Sequence, residues 1–161
     1  KGEKVVATGR NKKLGEKLKN LGAEFVELDI TNNEDFKRLP TDDIKGVILL
    51  AGLLPANAKA DLKNEENAAD YFNVNVIGAI NVLEYCRKNG IKKVIGNCSY
   101  SDVSGAWDGG YPITEEEPRN FKFSGDHAVY VISKNACNDV MEYYNQQHGM
   151  QCGLDFLLFM V

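Results

Sequence analysis

The chain has 161 residues, 43% of them apolar and 26% charged, with a formal net charge of −4. That length supports one domain with a real core, and the composition is that of an ordinary globular protein. The negative balance speaks against bulk nucleic-acid binding, and no apolar run approaches the roughly 18 residues of a membrane span. No secretory signal opens the sequence, since Lys1 to Arg10 is polar and then strand-like. Cys86, Cys98, Cys137 and Cys152 are scattered without a C-x-x-C pair, and the only histidines are His127 and His148. A zinc cluster is not expected, and reduced thiols in a cytoplasmic protein are the simplest reading.

In chain order, Lys4-Val5-Val6-Ala7-Thr8 predicts a short strand and Gly9-Arg10-Asn11 a turn. Lys12 to Leu21 predicts a helix, with Leu14, Leu18 and Leu21 on one side and Gly22 at its end. Glu24 to Leu28 is a second strand, and Thr31-Asn32-Asn33-Glu34 is a capping-box pattern opening a short helix that Pro40 ends. Gly46 to Ala51 is a continuous apolar run, as expected of a strand covered on both faces. Gly52 to Glu66 reads as a polar loop, and Asn67 to Asn89 as a long helix ended by Gly90, with Phe72, Val76, Ile80, Leu83 and Arg87 tracing its period. Lys93 to Asn97 is another strand. Cys98 to Gly125 is a long irregular stretch rich in Gly, Ser and Pro, and loops of that length inside a compact domain are usually functional. A helix from Asp126 to Gln147 and an apolar strand from Leu154 to Val161 complete the pattern.

Strand and helix alternate throughout, which predicts one α/β domain over residues 1–161 with a parallel sheet. In such sheets ligands bind beyond the carboxyl ends of the strands. The segments there are Gly9 to Asn11, Asp29-Ile30, Ala51 to Leu54 and Ser99 to Gly105. The next helix carries Tyr130-Val131-Ile132-Ser133-Lys134, and a spacing of four puts Tyr130 and Lys134 on one face. Tyrosine is a poor base at neutral pH, with an unperturbed pKa of about 10. A cation held nearby lowers that value, so the pair is suited to passing a proton to or from a substrate hydroxyl. Solvated helix faces carry the same spacing by chance, so the pair gains weight only from what precedes it.

The order of these markers resembles the extended branch of the short-chain dehydrogenase/reductase superfamily, the NAD(P)-dependent epimerases and dehydratases of nucleotide sugars. Leu28-Asp29-Ile30 resembles the segment that binds the adenine, and Leu50-Ala51-Gly52 the small-residue segment that runs under the cofactor. Asn75-Val76-Ile77-Gly78-Ala79 is similar to the N-V-x-G-[TA] motif, and Cys98 to Gly105 to the S-S-x-x-V-Y-G stretch. Tyr130 and Lys134 match the catalytic Y-x-x-x-K. The resemblance implies a Rossmann-like, doubly wound parallel sheet, incomplete at both ends: the first strand, its Gly-rich phosphate loop and the C-terminal substrate-binding region are not found in the sequence. It also implies a nucleotide-sugar substrate, a homodimer, and a mechanism in which Tyr130 exchanges a proton with a sugar hydroxyl while a serine polarises the same oxygen. Lys134 would lower the Tyr130 pKa and hold the nicotinamide ribose. Epimerisation, dehydration and reduction all begin in this way.

Counting back from Gly105, the serine position falls on Tyr100, with Ser99 and Ser101 on either side; Ser99 is favoured. Turn chemistry alone accounts for such serines equally well. The turn Ala7 to Asn11 holds no acid to grip the adenosine ribose, and Arg10, followed by Lys12 and Lys13, leans towards the 2′-phosphate of NADP over NAD. A solvated basic face is the plainer reading of those three. His127 is a weaker candidate, and Trp107, Tyr111 and Phe121 to Phe123 are candidate walls of the substrate site. The rival from another class is a non-enzymatic dinucleotide-binding sensor on the same fold, which the Tyr130–Lys134 pair disfavours.

Overall fold

The computed structural model describes residues 2–55, 68–97, 99–114, 116–121, 123 and 128–155. Strands β1 (Val6–Gly9) and β2 (Glu24–Glu27) pair in parallel, Val6 opposite Glu24 and Gly9 opposite Glu27. Helix α1 (Lys12–Asn20) connects them. Asn11 starts it, its side-chain oxygen accepting the Leu14 N–H at 3.1 Å, which satisfies one of the orphan donors of the first turn. Gly15 lets the helix lie close on the sheet, because a Cβ there would stand 2.4 Å from the Phe25 ring.

A 3₁₀ segment, Asn33–Arg38, follows β2. Its cap is Asn32, whose side-chain oxygen accepts the Glu34 N–H at 3.2 Å. Thr31 is not the cap, because its hydroxyl and its N–H both donate to Asp29 instead.

Strands β3 (Val47–Leu49), β4 (Lys93–Asn97) and β5 (Gln151–Asp155) form a second parallel sheet in that order. β5 begins three residues before the apolar run that predicts it, since backbone pairing of Gln151 with Lys93 starts the ladder. The stretch 156–161 of the predicted strand lies outside the described residues.

The long helix runs as α2 (Ala68–Phe72), a π-helical turn (Asn73–Ile77) and α3 (Gly78–Lys88). The wider turn shifts the phase of the inward face. Tyr71 is buried before it, Asn75 and Val76 within it, and Ala79, Val82, Leu83 and Cys86 after it. Phe72 and Arg87, which the regular period groups with the buried positions, are exposed. Helix α4 (Ala128–His148) completes the layer. The main core gathers Leu49 and Val94 from the sheet with Leu83, Cys86, Cys137 and Met141 from the helices, and a smaller cluster holds Leu53, Tyr71, Tyr130 and Val131.

Among the described residues β1 pairs only with β2, and β3 only with β4. The expectation that the third strand is covered on both faces is not met. Successive side chains point to opposite faces, so Leu49 packs on the helices while Ile48 is 67% exposed. Val5, Leu50 and Ile95 are likewise exposed, as is the Leu14, Leu18 and Leu21 stripe of α1. The two sheets are joined by Lys45 to Glu3 at 2.7 Å, by the Asn81 amide donating to the Ile30 carbonyl at 2.8 Å, and by the Tyr85 hydroxyl donating to the Pro40 carbonyl.

No helix among the described residues is long and apolar enough to cross a membrane. Among the same residues no group of three His, Cys, Asp or Glu side chains is placed to hold a metal ion. Cys86 and Cys137 are buried free thiols and Cys152 is a half-buried one, and burial pushes the Cys86 thiol up to about 12.

Candidate active site

Helix α4 carries Tyr130 and Lys134 one turn apart, and both are buried. Ser99, just past β4, is buried too, and its side chain hydrogen-bonds the Tyr130 phenol. The Tyr130 ring meets Tyr71 edge-on at 6.3 Å between centroids, a preferred aromatic geometry. Tyr100 and Ser101 belong to the 3₁₀ segment Tyr100–Ala106, and their side chains are not among those described. His127 lies outside the described residues.

The Tyr130 phenol stands above its ordinary value in this structure, not below it. Burial pushes the phenol above its ordinary value, the bond from Ser99 opposes this, and the nearby Asp102 charge adds to the rise. The Lys134 charge is felt instead by Asp102 and Cys137. Asp102 is itself pushed up to about 6 by burial, against the pull of Arg119, Lys134 and the Asn135 amide.

Asn75, in the π-helical turn, ties the segment after β3 to α4. Its side-chain oxygen accepts the Leu53 N–H at 2.7 Å, and its amide donates to the Leu53 carbonyl at 3.2 Å and to the Ser133 hydroxyl at 2.9 Å. Ser133 in turn donates to the Tyr130 carbonyl at 2.7 Å. Gly52 sits beside this clamp, where a Cβ would stand 3.3 Å from the Asn75 oxygen. Ala51 and Lys134 line one small void with Asn75, Gly96 and Cys137. Leu50 is exposed.

The basic turn forms a separate group. Arg10, Asn11, Lys12 and Lys13 line an open depression beyond β1. The turn holds no acid of its own, yet one reaches it from just past β2: an Arg10 nitrogen stands 4.0 Å from the Asp29 carboxylate. Asp29 is held by Thr31, whose N–H and hydroxyl donate to it at 2.9 and 2.8 Å, and its own N–H donates to Asp35 at 2.9 Å. Ile30 is buried against Gly78 of α3, where a Cβ would stand 2.6 Å from its side chain. The two groups therefore meet the same long helix, Ile30 at Gly78 and Leu53 at Asn75.

Of the aromatic candidates, Phe121 packs on the cluster that holds Tyr130, while Trp107, Tyr111 and Phe123 are exposed. Asn75, Asp102, Ser133, Asn135 and Asn138 are all buried polar residues around the site, and the sequence motifs assign none of them a role there. For the four on helices the available signal is polarity at inward positions of otherwise apolar faces.

Comparison with known proteins adds to this geometry. The model of the NAD dependent epimerase/dehydratase family matches residues 1–154. A provisionally named UDP-glucose 4-epimerase of Methanocaldococcus jannaschii is 29% identical over 133 residues, which span 82% of this chain and 40% of that protein. The crystal structure of UDP-glucose 4-epimerase with UDP-glucose from Thermotoga maritima superposes with a TM-score of 0.76 at 21% identity, over 95% of this chain and 47% of that one. A dTDP-glucose 4,6-dehydratase double mutant from Streptomyces venezuelae with NAD bound gives 0.73 at 18% identity, over 96% of this chain and 46% of that one. These likenesses carry the fold, a Rossmann-like α/β sheet. The chain spans 40% of the sequence relative and just under half of each structure.

Proposed function

The chain belongs to the NAD-dependent epimerase/dehydratase family, and from that membership we propose that it acts on a nucleotide sugar, with Tyr130, Lys134 and Ser99 as its proton-transfer group. The observation that carries this reading is the burial of all three with Ser99 bonded to the phenol. A phenol raised by burial is a reluctant acid. Ser99, donating to its oxygen, favours the phenolate, and the positive charge of Lys134 one turn away favours it further once a substrate hydroxyl is in place. Tyr130 then takes the proton of a sugar hydroxyl and can return it. The buried setting keeps bulk water from competing for that proton.

The residues fit a nicotinamide dinucleotide. Just past β3 come small residues, Ala51 and Gly52, and the missing Cβ of Gly52 lets the backbone pass close beside Asn75. Arg10, Asp29 and Ile30 would hold the adenosine end, Leu50, Ala51 and Gly52 the middle, and Tyr130 and Lys134 the nicotinamide ribose. When bound, the nicotinamide supplies the hydride chemistry of the reaction. Arg10 suits a 2′-phosphate, and Asp29 at 4.0 Å competes for the same guanidinium, so NADP and NAD are both within reach, with Arg10 favouring NADP.

The relatives are named for UDP-glucose and dTDP-glucose, so UDP-glucose is the first substrate to try. The test is to incubate the full-length protein with NAD or NADP and UDP-glucose and to follow the sugar by chromatography. Conversion to an epimer or a dehydrated sugar is the expected result. Tight dinucleotide binding with an unchanged sugar, across a panel of nucleotide sugars, would contradict the enzyme and leave a dinucleotide sensor.

A further inference from the structure

Asp102 is 4% exposed and held at every polar atom. Its N–H donates to the Ser99 carbonyl at 3.1 Å, and its carbonyl accepts the Asn120 N–H at 2.9 Å. Its carboxylate oxygens accept the side-chain amides of Asn135 at 3.0 Å and Asn138 at 3.2 Å, on α4. The backbone of this residue thus belongs to the serine loop and its side chain to the helix of Tyr130 and Lys134.

The carboxylate does more than hold. An ionised carboxylate only accepts, and both amides present donors to it. The charges that face it are Lys134 and Asp139 from α4 and Arg119 from the preceding loop. Arg119 is already paired with Asp139 at 2.6 Å. Buried charge acts strongly at short range because little water screens it.

We propose that Asp102 is a positioning residue of the Tyr130 site, its carboxylate fixing the serine loop to α4 and its charge opposing loss of the phenolic proton. The rise of the Tyr130 pKa contributed by the Asp102 charge agrees with this. The functional consequence rests on the reading of Tyr130 as the proton-transfer group: neutral Asp102 lets the phenol give up its proton and stand ready as the base, and ionised Asp102 keeps it protonated. The buried oxygens of Asn135 and Asn138, which have no hydrogen-bond partner, supply what the neutral form needs. Either amide, turned over, would accept the Asp102 O–H.

The test is an absorbance titration of phenolate in the full-length protein. The difference between wild type and Tyr130→Phe isolates the Tyr130 signal, and the same difference is taken in an Asp102→Asn background. The expected result is a Tyr130 midpoint lowered by about half a unit or more, that is, a proton held roughly threefold less tightly. Asp102→Glu, which keeps the charge, should leave the midpoint near the wild-type value. A role in folding alone predicts no shift, so an unchanged or raised midpoint in Asp102→Asn overturns the proposal. If Asp102→Asn fails to fold by circular dichroism, Asp102→Ser carries the same prediction. Failure of both neutral variants beside a folded Asp102→Glu would show structural support only, and would also overturn it. No turnover enters this readout. A protein that converts no nucleotide sugar loses the proposed function and not this inference, while a moving sugar with an unmoved midpoint does the reverse.

Discussion

The two sheets of this molecule are built to different standards. The β3–β4–β5 half packs Leu83, Val94, Cys86 and Met141 at or near zero exposure, with buried polar clamps at Asn75 and Asp102. The β1–α1–β2 half buries little beyond Gly15 and Leu28, exposes its leucine stripe, and is laced with surface ion pairs such as Lys4–Glu24 and Lys12–Glu27. Surface pairs of that kind contribute little. The groups proposed for proton transfer stand on the better-packed half, and those proposed for the adenosine end stand on the open half. Chemistry that needs reacting atoms within a fraction of an ångström belongs on the better-packed support.

The largest expected effect contrasts one leucine from each half. Leu83→Ala should cost about 3 kcal/mol by denaturant unfolding, since its side chain is fully buried. Leu21→Ala should cost less than about 0.5 kcal/mol, since Leu21 is 84% exposed. Equal costs would mean that something covers the stripe in the full-length protein, and would erase the contrast.

The second effect depends on pH. The folded-state pKa of Asp102 is raised to about 6 from an ordinary 3.8. Its contribution to stability is therefore fully present below pH 3.8 and is lost as pH rises through about 6. Ionised Asp102 is a cost above that range, worth at most about 3 kcal/mol. Lost carboxylate–amide bonds offset part of it. Asp102→Asn should gain stability over wild type, by about 1 kcal/mol, on going from pH 4 to pH 8. A difference that stays flat with pH in thermal melts contradicts the buried charge.

Smaller still is the effect of Arg10→Ala, on the open half. It should weaken NADP by about 1 kcal/mol more than NAD, because the pair with a 2′-phosphate forms at an exposed site already shared with Asp29. Calorimetric titration with each dinucleotide reads this directly, and equal weakening would reduce Arg10 to part of the solvated face.

The smallest effect is at Glu84, which Arg87 and the Tyr144 hydroxyl hold down to about 2. A depressed carboxylate stabilises above its unfolded pKa, here 4.5, and loses that contribution as pH falls through about 2. After allowance for its partial exposure, Glu84→Gln should cost about 0.5–1 kcal/mol at pH 7 and nearly nothing at pH 2.

The strands, the helices and the placing of Tyr130 and Lys134 one turn apart on one helix were legible because local periodicity and turn chemistry decide them. Three features were not. The Asn73–Ile77 turn is helical by every local signal, and only packing reveals the extra residue that turns Asn75 inward. The Ile48 face follows from what lies against the sheet, which an apolar run cannot report. The Tyr130 phenol is raised chiefly by burial, with the Ser99 bond opposing and the Asp102 charge adding, and a Tyr–Lys spacing alone reports none of these.

The central claim is that Tyr130 transfers a proton and does not merely fill the cluster around Leu53 and Tyr71. Single-turnover conversion of UDP-glucose by full-length Tyr130→Phe tests it most directly, alongside dinucleotide affinity by calorimetric titration. Only the phenolic hydroxyl is removed, and Lys134 remains to hold the ribose, so the account predicts a rate lowered by about 10²–10⁴ with affinity lowered far less, by under about tenfold. A rate within about twofold of wild type, or a loss of affinity that matches the loss of rate, would contradict it.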